Sequence, residues 1–262
     1  KNTHASPTVA CNGTSIFAVF NNHDNVQVTA LNLEGKQVWQ VIAGPYQPQQ
    51  FKFGFAPSPV LYKSSVIVCA DFEGEGFLAA LDQNSGKQVW KTKRPGGISF
   101  SSPIVAKVAG KEQLLLSGCL QVISYDPNNG KQLWSTKAVA NATCGTVVWT
   151  DNLVFASGGY PQKETAAIAA DGSGNVVWRN QQKSYEQSML VHDGHLYAVT
   201  DQGIAYCWEA TSGQEKWKAR LGGQVSSSPT LAGGNIYLAN ERGTIYVFKP
   251  NPSKFELVAR NQ

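Results

Sequence analysis

One five-residue phrase, Gly-Lys-Gln-Val-Trp, constrains this chain more than any other feature. It stands at Gly35–Trp39 and again, letter for letter, at Gly86–Trp90. It returns as Gly130-Lys-Gln-Leu-Trp134, Gly174-Asn-Val-Val-Trp178 and Gly213-Gln-Glu-Lys-Trp217. A worn sixth copy is read at Asn251-Pro-Ser-Lys-Phe255, with Phe in the Trp position. A period of roughly 40–50 residues means one supersecondary unit per repeat, and the blade of a β-propeller is the leading candidate.

The residues between the copies support that reading. Each repeat divides into four short strands, A to D from the inside outwards. Strand A follows a Ser-Pro mark at Ser6-Pro7, Ser58-Pro59, Ser102-Pro103 and Ser228-Pro229, with Cys144-Gly145 and Gln187-Ser188 in its place in repeats four and five. Runs such as Val66–Ala70 and Phe77–Leu81, rich in apolar residues and bounded by Gly, Asp or Asn, are strands B and C. Strand D carries the Trp. Asn12-Gly13, Asp193-Gly194 and Gly233-Gly234 sit where tight A-to-B hairpins need residues tolerant of positive φ. No segment has helical periodicity. The expected fold is therefore all-β: one propeller domain of four-stranded antiparallel blades, six of them visible, at roughly 1–42, 55–93, 99–137, 142–181, 185–220 and 225–262. Both chain ends fall at repeat boundaries, and no terminal strand completes a blade from the other end. Exposed sheet edges are a liability, so a part of a longer chain is favoured over a closed six-blade ring.

Apolar residues make up 42% and charged residues 15%, a balance suited to sheets stacked face to face. The net charge of +4 is scattered, with no Lys/Arg run to track a phosphate backbone, so nucleic acid is excluded as the expected partner. No apolar stretch approaches the ~20 residues of a membrane helix. The first residue is Lys1 rather than an initiator Met, so upstream processing or truncation is expected. The five cysteines show no CxxC pair and read as small buried hydrophobes in strands; one inter-blade disulfide stays open.

The phrase Ala80-Leu81-Asp82…Gly86-Lys87-Gln88-Val89-Trp90, with Ser-Pro before the inner strands, resembles the repeat of the pyrroloquinoline-quinone-like (PQQ-like) propeller family. The resemblance covers the whole chain. It implies rings of about seven or eight blades, so the six seen here are a departure. Its members include quinoprotein alcohol dehydrogenases, the non-catalytic propeller lipoprotein of outer-membrane barrel assembly, and secreted bacterial proteins with no assigned activity; the wording here looks most like the last group. The catalytic members have adjacent cysteines and acidic and Asn residues holding Ca²⁺ over the quinone. This chain has no Cys-Cys dipeptide, and no residues match the calcium ligands. The resemblance thus implies a non-catalytic scaffold, periplasmic or secreted, binding a protein or a polysaccharide and needing no cofactor. The alternative is an alcohol or polyvinyl-alcohol dehydrogenase relative using PQQ with Ca²⁺.

In a propeller the D-to-A and B-to-C connections share one face, where function is expected in loops on a rigid scaffold. The long insertions fall there: 41–57 with Tyr46, Phe51, Phe53 and Phe55; 71–76 with Asp71, Glu73 and Glu75; 157–164 with Tyr160; and 21–25 with His23 and Asp24. Residues just before strand A should line the central funnel: His4, Phe55, Phe100, Thr143, Tyr185 and Glu186. The candidate binding set is therefore His4, Tyr46, Phe51, Phe53, Phe55, Asp71, Glu73, Phe100, Thr143, Tyr160, Tyr185 and Glu186. No catalytic or metal-ligating residue is assigned: His192-Asp-Gly-His195 lacks two further zinc ligands, and Asp171–Asn175 lacks the bidentate Glu of a calcium loop. A weaker reading pairs Glu186 with an acid of the 71–75 loop for sugar cleavage.

Overall fold

The computed structural model describes residues 6–262. It is built of strands joined by turns, with no helix among the described residues. Blade 1 comprises β1 (Ala10–Cys11), β2 (Ser15–Asn22), β3 (Asn25–Asn32) and β4 (Gln37–Pro45). Blade 2 is β5 (Val60–Tyr62), β6 (Ser65–Ala70), β7 (Phe77–Asp82) and β8 (Gln88–Lys93); blade 3 is β9 (Ile104–Val108), β10 (Lys111–Gly118), β11 (Gln121–Tyr125) and β12 (Gln132–Lys137). Blade 4 is β13 (Val148–Trp149), β14 (Leu153–Gly158), β15 (Glu164–Ala169) and β16 (Val176–Asn180). Blade 5 is β17 (Leu190–His192), β18 (His195–Val199), β19 (Ile204–Glu209) and β20 (Glu215–Arg220); blade 6 is β21 (Thr230–Ala232), β22 (Asn235–Ala239), β23 (Ile245–Phe248) and β24 (Leu257–Asn261). Each is a four-stranded antiparallel meander in chain order, as expected of propeller blades.

The repeated phrase encodes the joint between neighbouring blades. Its Trp, on the outermost strand, turns inward: Trp39, Trp90, Trp134 and Trp217 are at most 9% exposed, and Trp178 is half-buried. The indole N–H of all but Trp134 crosses directly to the next blade's last turn. Trp39 donates to Gln83 O at 2.9 Å, Trp90 to Pro127 O at 3.2 Å, Trp178 to Ala210 O at 2.9 Å and Trp217 to Asn251 O at 2.7 Å. In three copies the Gly of the phrase receives the ring from the blade before. Gly86 adopts φ +71°, and a Cβ there would lie 2.7 Å from Trp39 Cε3; Gly130 stands in the same relation to Trp90, and Gly213 to Trp178. Gly is required twice over, by the left-handed backbone and by the indole lying on it. Apolar seams form around these joints, as between Trp39, Phe17 and Val28 of blade 1 and Val66, Val68 and Leu81 of blade 2. Four more seams join blades 2–3, 3–4, 4–5 and 5–6.

Two expectations about register are corrected by the ladders. Trp39, Trp90, Trp178 and Trp217 pair with Ala30, Ala80, Ala167 and Cys207. The corresponding residue of blade 6 is Ala259, opposite Val247, and not Phe255. Phe255 belongs to the turn before β24 and packs back on Trp217, with ring centroids 5.4 Å apart. The second correction concerns the Ser-Pro mark. Registers at the inner strands place Thr8, Thr146 and Ser188 level with Ser58, Ser102 and Ser228, two residues before the first paired residue. The mark is thus not at Ser6, Cys144 or Gln187 in blades 1, 4 and 5. Its physical role is a hydroxyl handed to the neighbour: Thr8 N donates to Ser58 Oγ at 2.9 Å, Ser58 N to Ser102 Oγ at 2.9 Å, Thr146 N to Ser188 Oγ at 3.0 Å and Ser188 N to Ser228 Oγ at 2.9 Å. All five cysteines are free thiols; Cys69, Cys119 and Cys207 are buried, but Cys11 is exposed and Cys144 half-buried, against the expectation of five buried ones.

Candidate functional site

The loop from 46 to 59 dominates the face carrying the D-to-A and B-to-C connections. The expected insertion at 41–57 is shorter at its start, because β4 runs on to Pro45. The expected 21–25 loop is a two-residue hairpin whose His23 and Asp24 take φ of 47° and 60°. Two devices hold the long loop. Tyr46 is 1% exposed, donates its hydroxyl to Gly54 O at 2.9 Å, and meets Phe55 and Phe72 edge-on at 5.2 and 5.8 Å. Burial first, then the negative charges of Asp71 and Glu73, keep its phenol protonated well above the usual range. The Glu73 carboxylate accepts from Gln49 N at 3.1 Å and Gln50 N at 2.9 Å, pinning the loop from the neighbouring connection.

At its tip this loop lifts two rings outward. Phe51 takes φ +46°, and Phe53 N turns back to Phe51 O at 2.7 Å. Phe51 meets Tyr160 at 5.9 Å and 72°, and Phe53 meets Phe100 at 6.0 Å and 54°. Phe51 and Phe53 lie 6.2 Å apart, so four rings from three separate connections form one continuous ridge. Phe53 is 56% and Tyr160 52% exposed, which is unusual for rings already in contact with others.

Beside the ridge opens a funnel cavity of about 500 Å³, lined by Ser6, Phe53, Ala56, Phe100, Ser102, Cys144, Tyr185 and Glu186. A second hollow, about 330 Å³, lies on the other side of the loop and is polar, with Asn21, Asp24, Gln47, Gln49 and Lys52 in its wall. Burial, with the Glu186 charge adding to it, pushes the Cys144 thiol up to about 12, so it stands in the funnel wall as a neutral group. Lys183 lies over the Tyr185 ring at 4.5 Å and is held by Asp201 at 2.9 Å.

Of the residues expected to bind, Phe51, Phe53, Phe100, Tyr160, Tyr185 and Glu186 are thus gathered at the ridge and funnel. His4 lies outside the described residues. Tyr46, Phe55, Asp71 and Thr143 are at most 1% exposed and support the face from beneath, a correction to their reading as contact residues. Asp71 makes a bidentate pair with Arg94 at 2.9 and 2.7 Å, and Arg94 also donates to Tyr125 OH at 2.8 Å. Thr143 donates to Ser117 O at 3.1 Å, while its own carbonyl accepts from Phe100 N at 2.8 Å. Glu73 is engaged by the loop amides rather than presented to a partner. Arg94 and Cys144 were absent from the expected set: Arg94 follows the Trp-bearing strand of blade 2, a sequence signal that pointed to scaffold, and Cys144 was read as strand filler.

Among the described residues, no three His, Cys, Asp or Glu side chains converge as metal ligands. His192 and His195 both turn to Asp193, His192 Nε2 to its carboxylate at 3.2 Å and His195 Nδ1 to its carbonyl at 2.7 Å. The funnel lining offers one carboxylate, the hydroxyls of Ser6, Ser102 and Tyr185, and one thiol among apolar groups. Ca²⁺ takes about six to eight oxygen ligands, more than the side chains of the described funnel lining offer.

A family profile described as outer membrane protein assembly factor BamB, of the PQQ-repeat type, matches residues 74–192 and 162–251. The chain belongs to this PQQ-repeat family. Among curated members, the outer membrane protein assembly factor BamB of Legionella pneumophila (strain Paris) is 25% identical over 91 residues, 34% of this chain and 23% of that protein. That of Alkalilimnicola ehrlichii is 30% identical over 114 residues, 43% of this chain and 29% of that protein. The matched segments therefore span under a third of these relatives' own length. Among solved structures, BamB from Moraxella catarrhalis superposes with a TM-score of 0.75 at 15% identity, covering 98% of this chain and 76% of that one. The computationally designed Ika8 protein gives a TM-score of 0.65 at 11% identity, over 93% and 70%. These two likenesses show the fold alone, a β-propeller. No helix among the described residues is long and apolar enough to cross a membrane.

Proposed function

We propose that this PQQ-repeat propeller is a non-catalytic scaffold that presents its loop-rich face to a protein partner in outer-membrane protein assembly, in the periplasm. The observation that carries the reading is the ridge Tyr160–Phe51–Phe53–Phe100, with Phe53 and Tyr160 half-exposed on loops pinned from below. Rigid, exposed aromatic anchors on a firm base are the groups that dominate protein–protein binding energy. The relatives' names supply the setting, since both curated matches are described as outer membrane protein assembly factors. A protein is favoured over a polysaccharide because the rings tilt against one another at 72°, 41° and 54°, so they offer edges and clefts rather than a flat stacking platform. A photo-crosslinking residue placed at Phe53 or Tyr160 in the living bacterium tests the proposal. Controls carry it at Val89 or Val177, which are exposed on outer strands of blades 2 and 4. The expected result is an adduct with an outer-membrane assembly protein from the first pair of sites only. Adducts from Val89 and Val177 alone, or from neither pair, would overturn it.

A further inference from the structure

We infer that the funnel beside the aromatic ridge receives an arginine side chain from an extended segment of the partner. The inference rests on the protein-partner reading and adds what the partner must supply. Its first support is shape and polarity: the cavity is about 500 Å³, walled by Phe53, Ala56, Phe100, Tyr185 and Cys144, with Glu186 as its one carboxylate. Its second support is charge. Four other acids of this face are already engaged, Asp71 by Arg94, Asp201 by Lys183, Glu164 by Arg179, and Glu73 by two loop amides, and Asp24 lies in the polar hollow rather than in the funnel. Glu186 enters no ion pair among the described residues, and the side-chain groups beside it are rings, hydroxyls and a neutral thiol. An unpaired carboxylate at the edge of an apolar cavity attracts a cation more strongly than one in open water does.

The guanidinium is favoured over the ammonium for two reasons. It sheds water more readily and lies flat on aromatic faces, which Phe53, Phe100 and Tyr185 provide. It also meets a carboxylate with two parallel N–H bonds. Its aliphatic stem would cover Ala56 and the ring edges while the partner backbone runs along the ridge.

The test uses fluorescence anisotropy with three labelled peptides, Ser-Leu-Arg-Leu-Ser and its citrulline and lysine counterparts. Citrulline keeps the shape of arginine and removes its charge. The arginine peptide should bind at least about tenfold more tightly than either of the others. Glu186→Gln, at an exposed position, should erase that advantage and leave the unfolding midpoint unchanged. Phe53→Ala should weaken all three. Equal binding of arginine and citrulline, no binding of either at millimolar concentration, or an advantage surviving in Glu186→Gln would overturn the proposal. A lysine peptide as tight as the arginine one would overturn the guanidinium assignment. Crosslinks at Phe53 without an arginine preference would sink this inference alone; absence of crosslinks would sink the scaffold reading beneath it.

Discussion

Trp134 reaches the next blade through Gln113. Its indole donates to Gln113 Oε1 at 2.8 Å, and Gln113 Nε2 donates in turn to Ala170 O, the equivalent turn carbonyl of blade 4, at 2.8 Å. The other four tryptophans of the repeated phrase donate to the neighbouring carbonyl directly. Gln113 is 2% exposed, and its oxygen also accepts from Ser124 Oγ at 2.6 Å. Gln113→Leu keeps the bulk and strands an indole N–H, a hydroxyl and a carbonyl in the seam. Each buried unpaired polar group costs about 1–3 kcal/mol, so the variant should lose at least about 3 kcal/mol in urea unfolding. A loss under about 1 kcal/mol would show that the relay is not a joint.

The glycines of the repeated phrase should differ sharply in tolerance. Gly35 and Gly86 share a left-handed backbone, at φ +79° and +71°. Nothing lies within 4 Å of a Cβ built on Gly35, whereas Trp39 Cε3 is 2.7 Å from one on Gly86. Gly35→Ala meets only backbone strain, about 1–2 kcal/mol. Gly86→Ala must also displace an indole wedged in a packed seam, a further cost of about 1–3 kcal/mol. Denaturant midpoints of the two variants, measured side by side, check the ordering; equal losses would mean that the ring yields freely.

What was legible in the sequence follows from the same contact. Gly and Trp recur together because Trp39, Trp90 and Trp178 each lie on the Gly of the following blade, so selection for one joint writes both letters at a fixed spacing. Counting from the phrase fails in blade 6, where the turn before β24 closes from Lys249 to Glu256 while that of blade 2 closes from Asp82 to Lys87. The longer turn carries Phe255 into the preceding seam and leaves Ala259 in the Trp position. The site was read less well, because a loop insertion does not reveal which of its aromatics point down. Tyr46 and Phe55 became the floor, Phe51 and Phe53 the crest, and no periodicity distinguishes them. Asp71 read as an exposed acid because its partner, Arg94, lies 23 residues away across two connections.

Alkaline pH should unfold this protein through its cysteines. Burial pushes the thiols of Cys119 and Cys144 up to about 12, from an ordinary 9.0. The unfolded chain gives up these protons near 9.0 and the native state near 12, so the unfolded state binds fewer protons across that window. Stability should therefore be indifferent to these thiols below pH 9 and fall as pH rises from 9 to 12. Cys119→Ala/Cys144→Ala should flatten the fall in urea midpoint between pH 9 and 10.5. The same protonation predicts slow alkylation: with iodoacetamide at pH 8, exposed Cys11 should react fully before Cys144 reacts measurably. Rapid native-state labelling of Cys144 would contradict the burial that keeps it neutral.

The Asp71–Arg94 pair holds the base of the loop-rich face, and its removal should show whether it stabilises or only specifies. Both side chains are at most 1% exposed, and Arg94 N also donates to Gly76 O at 2.8 Å, tying the blade's last strand to the connection that bears Phe72 and Glu73. Asp71→Ala leaves a buried guanidinium with no carboxylate, only the neutral Tyr125 hydroxyl and Cys69 thiol beside it, an arrangement that costs about 3–5 kcal/mol. Replacing both partners by apolar residues, Asp71→Leu with Arg94→Met, removes the charges together and should recover most of that loss. If the double variant is stable and the pair is structural only, its arginine-peptide affinity should match the parent's. If the pair also sets the height of the loop pinned by Glu73, stability should return while peptide affinity stays several-fold weaker. Measuring urea unfolding and peptide anisotropy on the same three variants separates the two. A double variant as unstable as Asp71→Ala would mean that this seam needs the ion pair itself, not merely its volume.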